Sequence, residues 1–530
     1  MILNIPDIAI GGLNTDASPW DLPPEMISNG MNFRIGANAI VTYGGIAVYD
    51  TSIDKYKPGF AIMTRTPAGS FIVTAGTSIY AYNVSYQDIS DKVVPDGDEY
   101  LWSGCLSGSV VILNNSNASP VYWNGSEPKV LDLPWDTVSD GSGGTIKTTW
   151  KEEGYSASVV RSHKNYLIAM DLTDATTRPD GFRWSHPSDE NGIPFTWNPN
   201  NTAGLAGVQS LGGDGGRIID GLSLRDSFVI YSRNAINILD LSGDEFVWRR
   251  RELSSTIGIL SRDCVVESKG LHYILTSGDI VTFDGNSIVS IAHDKIQTIL
   301  RLMNTDYIDR AFVYSNEKRK EIWFCIPYGQ DNTGKVYENA NLAIIYQWKK
   351  GTWSLRELPI GTSFVIAAPE IVAPGEPWGD EVSGDQQAWE DDETRWNDDV
   401  SAVSFANKPY AINHDDSRID ILEPTITEND LNTFIERTDL AIESQINVTT
   451  LTRIYPHAYG SKPFRIRVGS QDRAGGVVRW KGWKVFDPSK DRKIDVRTTG
   501  ALHCYRIESI GTGKFRFAGL DIEYEVDGVR

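Results

Sequence analysis

"FIVTAGTSIYAYN", residues Phe71 to Asn83, sets a β-branched apolar run before a small polar turn and a second run ending in aromatics. Two short apolar runs joined across Gly, Asn or Ser make a tight β-hairpin. The same pattern returns as "SVVILNNSNASPVYWNG" from Ser109, "SFVIYSRNAINILDL" from Ser227 and "LHYILTSGDIVTFDG" from Leu271. Looser copies are "NYLIAMDL" from Asn165, "AFVYSNEKRKEIWFCIPYG" from Ala311 and "PYAINHDDSRIDILE" from Pro409. A lone hairpin cannot bury its apolar face, so the units must stack on one another. Repeats of about 40–50 residues with several strands each predict a β-propeller, here of six or seven blades. A large β-sandwich is the competing architecture.

Two segments interrupt the rhythm. In "AHDKIQTILRLMN" (Ala292 to Asn304), Ile296, Ile299, Leu300 and Met303 fall at helical spacing, which predicts a short amphipathic helix. "GEPWGDEVSGDQQAWEDDETRWNDD" (Gly375 to Asp399) is acidic, yet it carries Trp378, Trp389 and Trp396. Exposed indoles forgo a few kcal/mol of burial. Those rings, with Asp391, Asp392, Asp398 and Asp399, are therefore expected either to pin the loop to its blade or to form a subunit interface. Deletion of Glu376 to Asp399 is expected to leave the propeller folded and weaken assembly.

After about Asp439 the strands lengthen and alternate, as in "PFRIRVGSQD", where Phe464, Ile466 and Val468 interleave with Arg465 and Arg467. Alternation marks strands buried on one face only. The expected fold class is all-β: an extended N-terminal arm with closing strands over 1–45, a propeller with insertions over 46–436, and a C-terminal β-sandwich over 437–530.

The net charge is −20, unevenly divided: Leu440 to Arg530 holds 16 Lys and Arg against 10 Asp and Glu. The remainder is strongly acidic, which argues against a nucleic-acid reader that gathers phosphates on a basic surface. No apolar run reaches the ~18 residues of a membrane span, and "MILNIPDIAIGGLN" lacks the parts of a signal peptide. The expectation is a chain made in a cytosol, with no membrane partner. Cys105, Cys264, Cys325 and Cys504 are widely spaced and expected as buried free thiols.

Motifs for chemistry are missing from the sequence. It contains no HExxH, GxSxG, P-loop or strand-borne GxGxxG. His414 with Asp415 and Asp416 is the nearest approach to a ligand cluster, and turn chemistry accounts for the trio equally well. The four loop aspartates lack the spacing of an EF-hand. No catalytic, cofactor-binding or metal residues are assigned, and no enzyme activity is expected.

The opening, "GGLNTDASPWDLPPEMISNGMNFRIGANAIVTYGGIAVYD", resembles the N-terminal segment of many bacteriophage virion proteins. "RIIDGLSLRDSFVIYSRNAINILDLSG" followed by "HYILTSGDIVTFDGNSIVSIAHDKIQTIL" resembles the centre of tail nozzle (tail hub) proteins of short-tailed phages, and "FRFAGLDIEYEV" resembles their closing domain. The resemblance implies a structural protein of the virion tail, assembled in host cytoplasm as a homo-hexameric ring. Its partners would be the adaptor or portal-proximal ring, tail fibres or spikes, and double-stranded DNA passing through the lumen without sequence-specific binding. The alternative is a propeller tail protein that binds or cleaves glycans.

Overall fold

The computed structural model describes residues 1–529 apart from 9, 37, 52, 54–56, 65–70, 84, 92–100, 140–144, 214, 243–246, 369–406, 425–430, 444–446 and 512–514. Seven small antiparallel sheets follow one another around an axis. Blades 1 to 5 have four strands each, in the order inner to outer. Their innermost strands are Pro58–Met63, Trp102–Ser107, Ser156–His163, Ile218–Leu224 and Val265–Ser268.

Blades 6 and 7 share one long strand, Thr352–Ala368. Thr352 to Glu357 pairs with Ala340–Gln347 as the outer edge of blade 6, which begins at Phe312–Asn316. Thr362 to Ala368 pairs with Lys408–Asn413 as the inner edge of blade 7. The change of blade falls at Pro359–Gly361, where Pro359 has no amide hydrogen for a ladder and Gly361 has φ +91°. A Cβ on Gly361 would lie 2.7 Å from the side chains of Asn413 and Asp415, so this crossing requires glycine.

The ring closes with chain-distant strands. Blade 7 takes its outer strand, Ile46–Asp50, from the N-terminal side, paired to Arg418–Leu422. Ser363 Oγ donates to the Pro58 carbonyl at 3.1 Å across the seam between blades 7 and 1. Apolar clusters fill the wedges between neighbouring blades: Phe71, Val73, Ile412 and Ile421 between 7 and 1, and Ile72, Ile79, Val111 and Leu113 between 1 and 2. Ile112, Leu133, Trp150 and Leu167 fill the next wedge, where Trp135, Trp150 and Trp197 meet edge to face. Strands packed on both faces read as continuous apolar runs, as the repeat did.

Beyond the ring, two sheets form the C-terminal sandwich. One has Ile2–Ile5, Gly519–Val529, Asn447–His457 and Ile494–Gly500; the other has Asn29–Met31, Phe434–Leu440, Leu502–Ser509 and Phe464–Gln471, with two short strands at its edge. The N-terminal arm thus gives a strand to each sheet before closing blade 7. Its hairpin, Phe33–Ile35 with Ile40–Thr42, pairs onward to Arg516–Phe517. Arg437, 1% exposed, donates to the arm carbonyls of Pro19 and Leu22. A continuous apolar core runs from blades 4 to 6 through Leu13, Ile27, Phe33 and Ile35 of the arm into the sandwich.

The predicted helix is shorter than its periodicity suggests. Only Gln297–Leu300 is α-helical, with Ile296, Ile299 and Leu300 buried. The arm caps it: the Asp16 carboxylate accepts from the Gln297 and Thr298 amides at 2.7 Å each.

Candidate functional site at the axis of the ring

Inner strands carry the small and polar residues that a narrow axis admits. Arg161 on blade 3 turns its guanidinium inward and meets blade 4 through both carboxylate oxygens of Asp220, at 2.8 and 2.9 Å. The same guanidinium donates to Asp263 Oδ1 at 2.8 Å, just ahead of blade 5, and to the Gly104 carbonyl of blade 2 at 3.0 Å. Asp220 also accepts from the amides of Gly221 at 2.7 Å and Asp263 at 2.9 Å. Arg262 reaches across to the Leu101 carbonyl at 3.0 Å. One charge network thus ties blades 2, 3, 4 and 5 at the centre. Asp263 has φ +61°, a left-handed conformation that Asp tolerates better than most residues.

Burial alone would raise the Asp220 carboxyl, but the Arg161 charge and its hydrogen bonds hold it below the ordinary value. Arg161 is also desolvated, which lowers its pKa, yet Asp220 and Asp263 raise it well above the ordinary value. Both groups therefore stay charged. Cys105 lines the same cavity of about 210 Å³, and burial pushes its thiol up to about 12 despite Arg161 nearby. At neutral pH that sulfur is a thiol, a poor nucleophile. On the blade 1–6–7 side of the axis, Phe364 packs against Phe60 and Phe312 with ring centroids 5.0 and 5.3 Å apart. A cavity of only about 30 Å³, lined in part by Phe60, Phe312 and Phe364, remains between these rings and Arg262.

A second buried network couples the arm to the ring. Arg34 donates to Glu321 on blade 6 at 2.6 Å and to Glu423 just after blade 7 at 3.0 Å. Arg356, fully buried, donates to Glu423 at 3.0 Å and sits 4.8 Å over the Tyr43 ring. Burial would raise the Glu423 carboxyl; Arg34 and Arg356 instead bring it down to about 2.

The sequence singled out different residues. Trp378, Trp389, Trp396, Asp391, Asp392, Asp398 and Asp399 lie outside the described residues. His414, Asp415 and Asp416 form the turn between Lys408–Asn413 and Arg418–Leu422. Their carboxylates diverge: Asp415 meets His414 and Asn339, whereas Asp416 pairs with Arg418 at 3.1 Å. Among the described residues no group of three or more His, Cys, Asp or Glu is placed to hold a metal ion. All four cysteines are buried and free. The axial network leaves no local motif: Arg161 and Asp220 are single charges inside apolar runs, in "VVRSH" and "IIDG", and Arg262 and Asp263 stand just before one, in "SRDCVV". A lone charge recurring in inner strands was the available signal.

No family model and no curated protein matches the chain. Solved structures that resemble it are β-propellers. Virginiamycin B lyase from Staphylococcus aureus is 10% identical, covers 71% of this chain and 98% of its own, and has a TM-score of 0.38. AztD of Citrobacter koseri is 12% identical over 57% of this chain and 73% of its own, at TM-score 0.31. These likenesses concern the all-β propeller fold and carry nothing about activity.

Proposed function

We propose that the chain is a structural subunit of a bacteriophage tail. It assembles into a ring, hexameric as in nozzle or hub proteins, that extends the DNA channel below the adaptor and retains and then conducts DNA. The observation that carries this reading is the filled axis. The centre of each propeller is occupied by paired charges and packed rings, with cavities of about 30 and 210 Å³. Duplex DNA is some 20 Å across, so its conduit would be bounded by several copies rather than bored through one. The division between an acidic ring and a basic sandwich suits a subunit whose two ends meet unlike neighbours. An acidic lumen gives phosphate no counterions to release, and DNA slides.

In this reading the subunit turns over no substrate; its partners are further copies, the adaptor ring, and fibres or spikes. Immunogold labelling of virions with antibody to the purified chain tests the assignment. Label at the tail, below the head–tail junction, is expected. Label on the capsid shell, or none on intact or disrupted particles, overturns it.

A further inference from the structure

The outer face of the second sandwich sheet carries a row of arginines with unequal partners. Arg465 pairs with Glu508. Arg506 pairs with Glu436 at 3.1 Å and Glu508 at 2.6 Å, and stacks 4.0 Å over Phe434. Arg467 lies directly opposite Arg506 in the ladder and has no carboxylate among the described residues. Like charges facing each other across an antiparallel pair destabilise a sheet. Arg467 is nevertheless held in place: its guanidinium stacks 4.3 Å over Trp480 and 4.5 Å over Trp483, and its Nε is enclosed without a hydrogen-bond partner. A cation fixed on two indoles, with its N–H edge unused, is a preorganised fork for a carboxylate or phosphate.

The surroundings reinforce that edge. Arg467 opens into a groove of about 280 Å³ that it shares with Lys481, Trp483, Lys484 and Arg497, and no carboxylate lines it. The Lys484 ammonium is turned to the Asp495 carbonyl, while no ion pair holds Lys481 or Arg497 among the described residues. Val485, 63% exposed, follows the lining residue Lys484 on the short strand Lys484–Phe486. Asp487, Asp491 and Asp495 follow the lining residue Lys484 along the chain, and Asp472 pairs with Arg479, so acidic residues interrupt the basic ones of this region. The site therefore suits separate carboxylates flanked by apolar side chains.

We infer that this groove binds an acidic, aromatic-bearing polypeptide segment, and that the occupant is the 375–399 stretch of a second copy of this chain. That stretch supplies ten Asp and Glu against one Arg, together with three tryptophans. The complementarity is one of chemistry, carboxylates for Arg467, Lys481 and Arg497, and indoles for Trp483 and the exposed Val485. The inference does not depend on the tail assignment.

The test is fluorescence anisotropy with a labelled synthetic peptide of residues 375–399, titrated with the full chain at low salt. Saturable binding is expected, weakened about tenfold or more by Arg467→Ala, less by Arg467→Lys, and progressively by salt. Arg497→Ala, on a separate strand, gives a second reading should Arg467→Ala fold poorly. A chain lacking Glu376 to Asp399 should bind the peptide more tightly, because no resident copy competes. Peptide affinity unchanged in both variants overturns the site; affinity unchanged by the deletion overturns the occupant. Displacement of the peptide by an equal concentration of duplex DNA would assign the groove to phosphate instead.

Discussion

Arg34 stands between two glutamates that the chain supplies 287 and 389 positions later. Removing one member of a buried ion cluster leaves the others desolvated and uncompensated, at a cost of about 3–5 kcal/mol. Arg34→Ala is expected to lower unfolding stability by that amount in denaturant titration, because Glu321 would lose the arginine paired with it while Glu423 kept Arg356 and Arg319. Two buried histidines contribute most plainly to the pH response. His272 receives the Tyr231 hydroxyl at Nδ1 and donates from Nε2 to the Ser223 carbonyl, an assignment fixed by the carbonyl having no proton to give. Burial pushes both His272 and His503 down to about 4 from 6.5. Between those values the unfolded chain takes up protons that the folded chain refuses, so stability falls as pH falls. The slope is about 1.4 kcal/mol per pH unit for each histidine. His272→Gln with His503→Gln should make the fall in stability between pH 6.5 and 4 shallower, with His163 and His186, also lowered by burial, retaining part of it. Buried thiols give a third expectation. Cys105, Cys264 and Cys504 are pushed up to about 12 by burial, so a bulky maleimide should label them only after denaturation.

At the scale of elements, what the sequence made legible and what it hid divide along one physical line. Hairpins beginning at 71, 109, 227, 271 and 409 are the second and third strands of their blades, packed on both faces and therefore written in continuous apolar residues. Inner strands such as Ile218–Leu224 must admit Asp220 to the axis. Outer strands such as Trp248–Ser254 ("WRRRELS") are wet, so neither kind carries the pattern. The pairing of Phe33–Ile35 with Ile40–Thr42 was readable locally. That Ile2–Ile5 would join Gly519–Val529, and Ile46–Asp50 would complete blade 7, was not, because no local pattern encodes a partner hundreds of residues away. The axial site was hidden for the same reason, since Arg161, Asp220 and Asp263 converge only when blades are stacked. These long-range closures carry a prediction. Deleting residues 1–50 removes the outer strand of blade 7, a strand from each sandwich sheet and Arg34 together. The truncated chain should lose its cooperative thermal transition, whereas deletion of Glu376 to Asp399 should preserve it; calorimetry distinguishes the two.

For the whole molecule, one apolar core joins blades 4 to 6, the arm and the sandwich, so ring and sandwich are coupled through a shared interior. In the proposed reading, the basic sandwich of one copy meets the acidic propeller of the next, a contact of unlike surfaces that would build a ring when the rotation closes. Electrostatics within such a ring are testable. Once an assembled particle identifies the lumen, replacing several of its carboxylates by lysine should slow DNA ejection, more at low salt than at high, because each cation offers a phosphate contact. Assembly is the prior question, and the particle mass of the purified full chain addresses it most directly. Native mass spectrometry, on the protein alone and mixed with the phage adaptor, should give a closed ring at a fixed multiple of 58.8 kDa, six by the nozzle reading. A particle that remains at 58.8 kDa under both conditions contradicts the account.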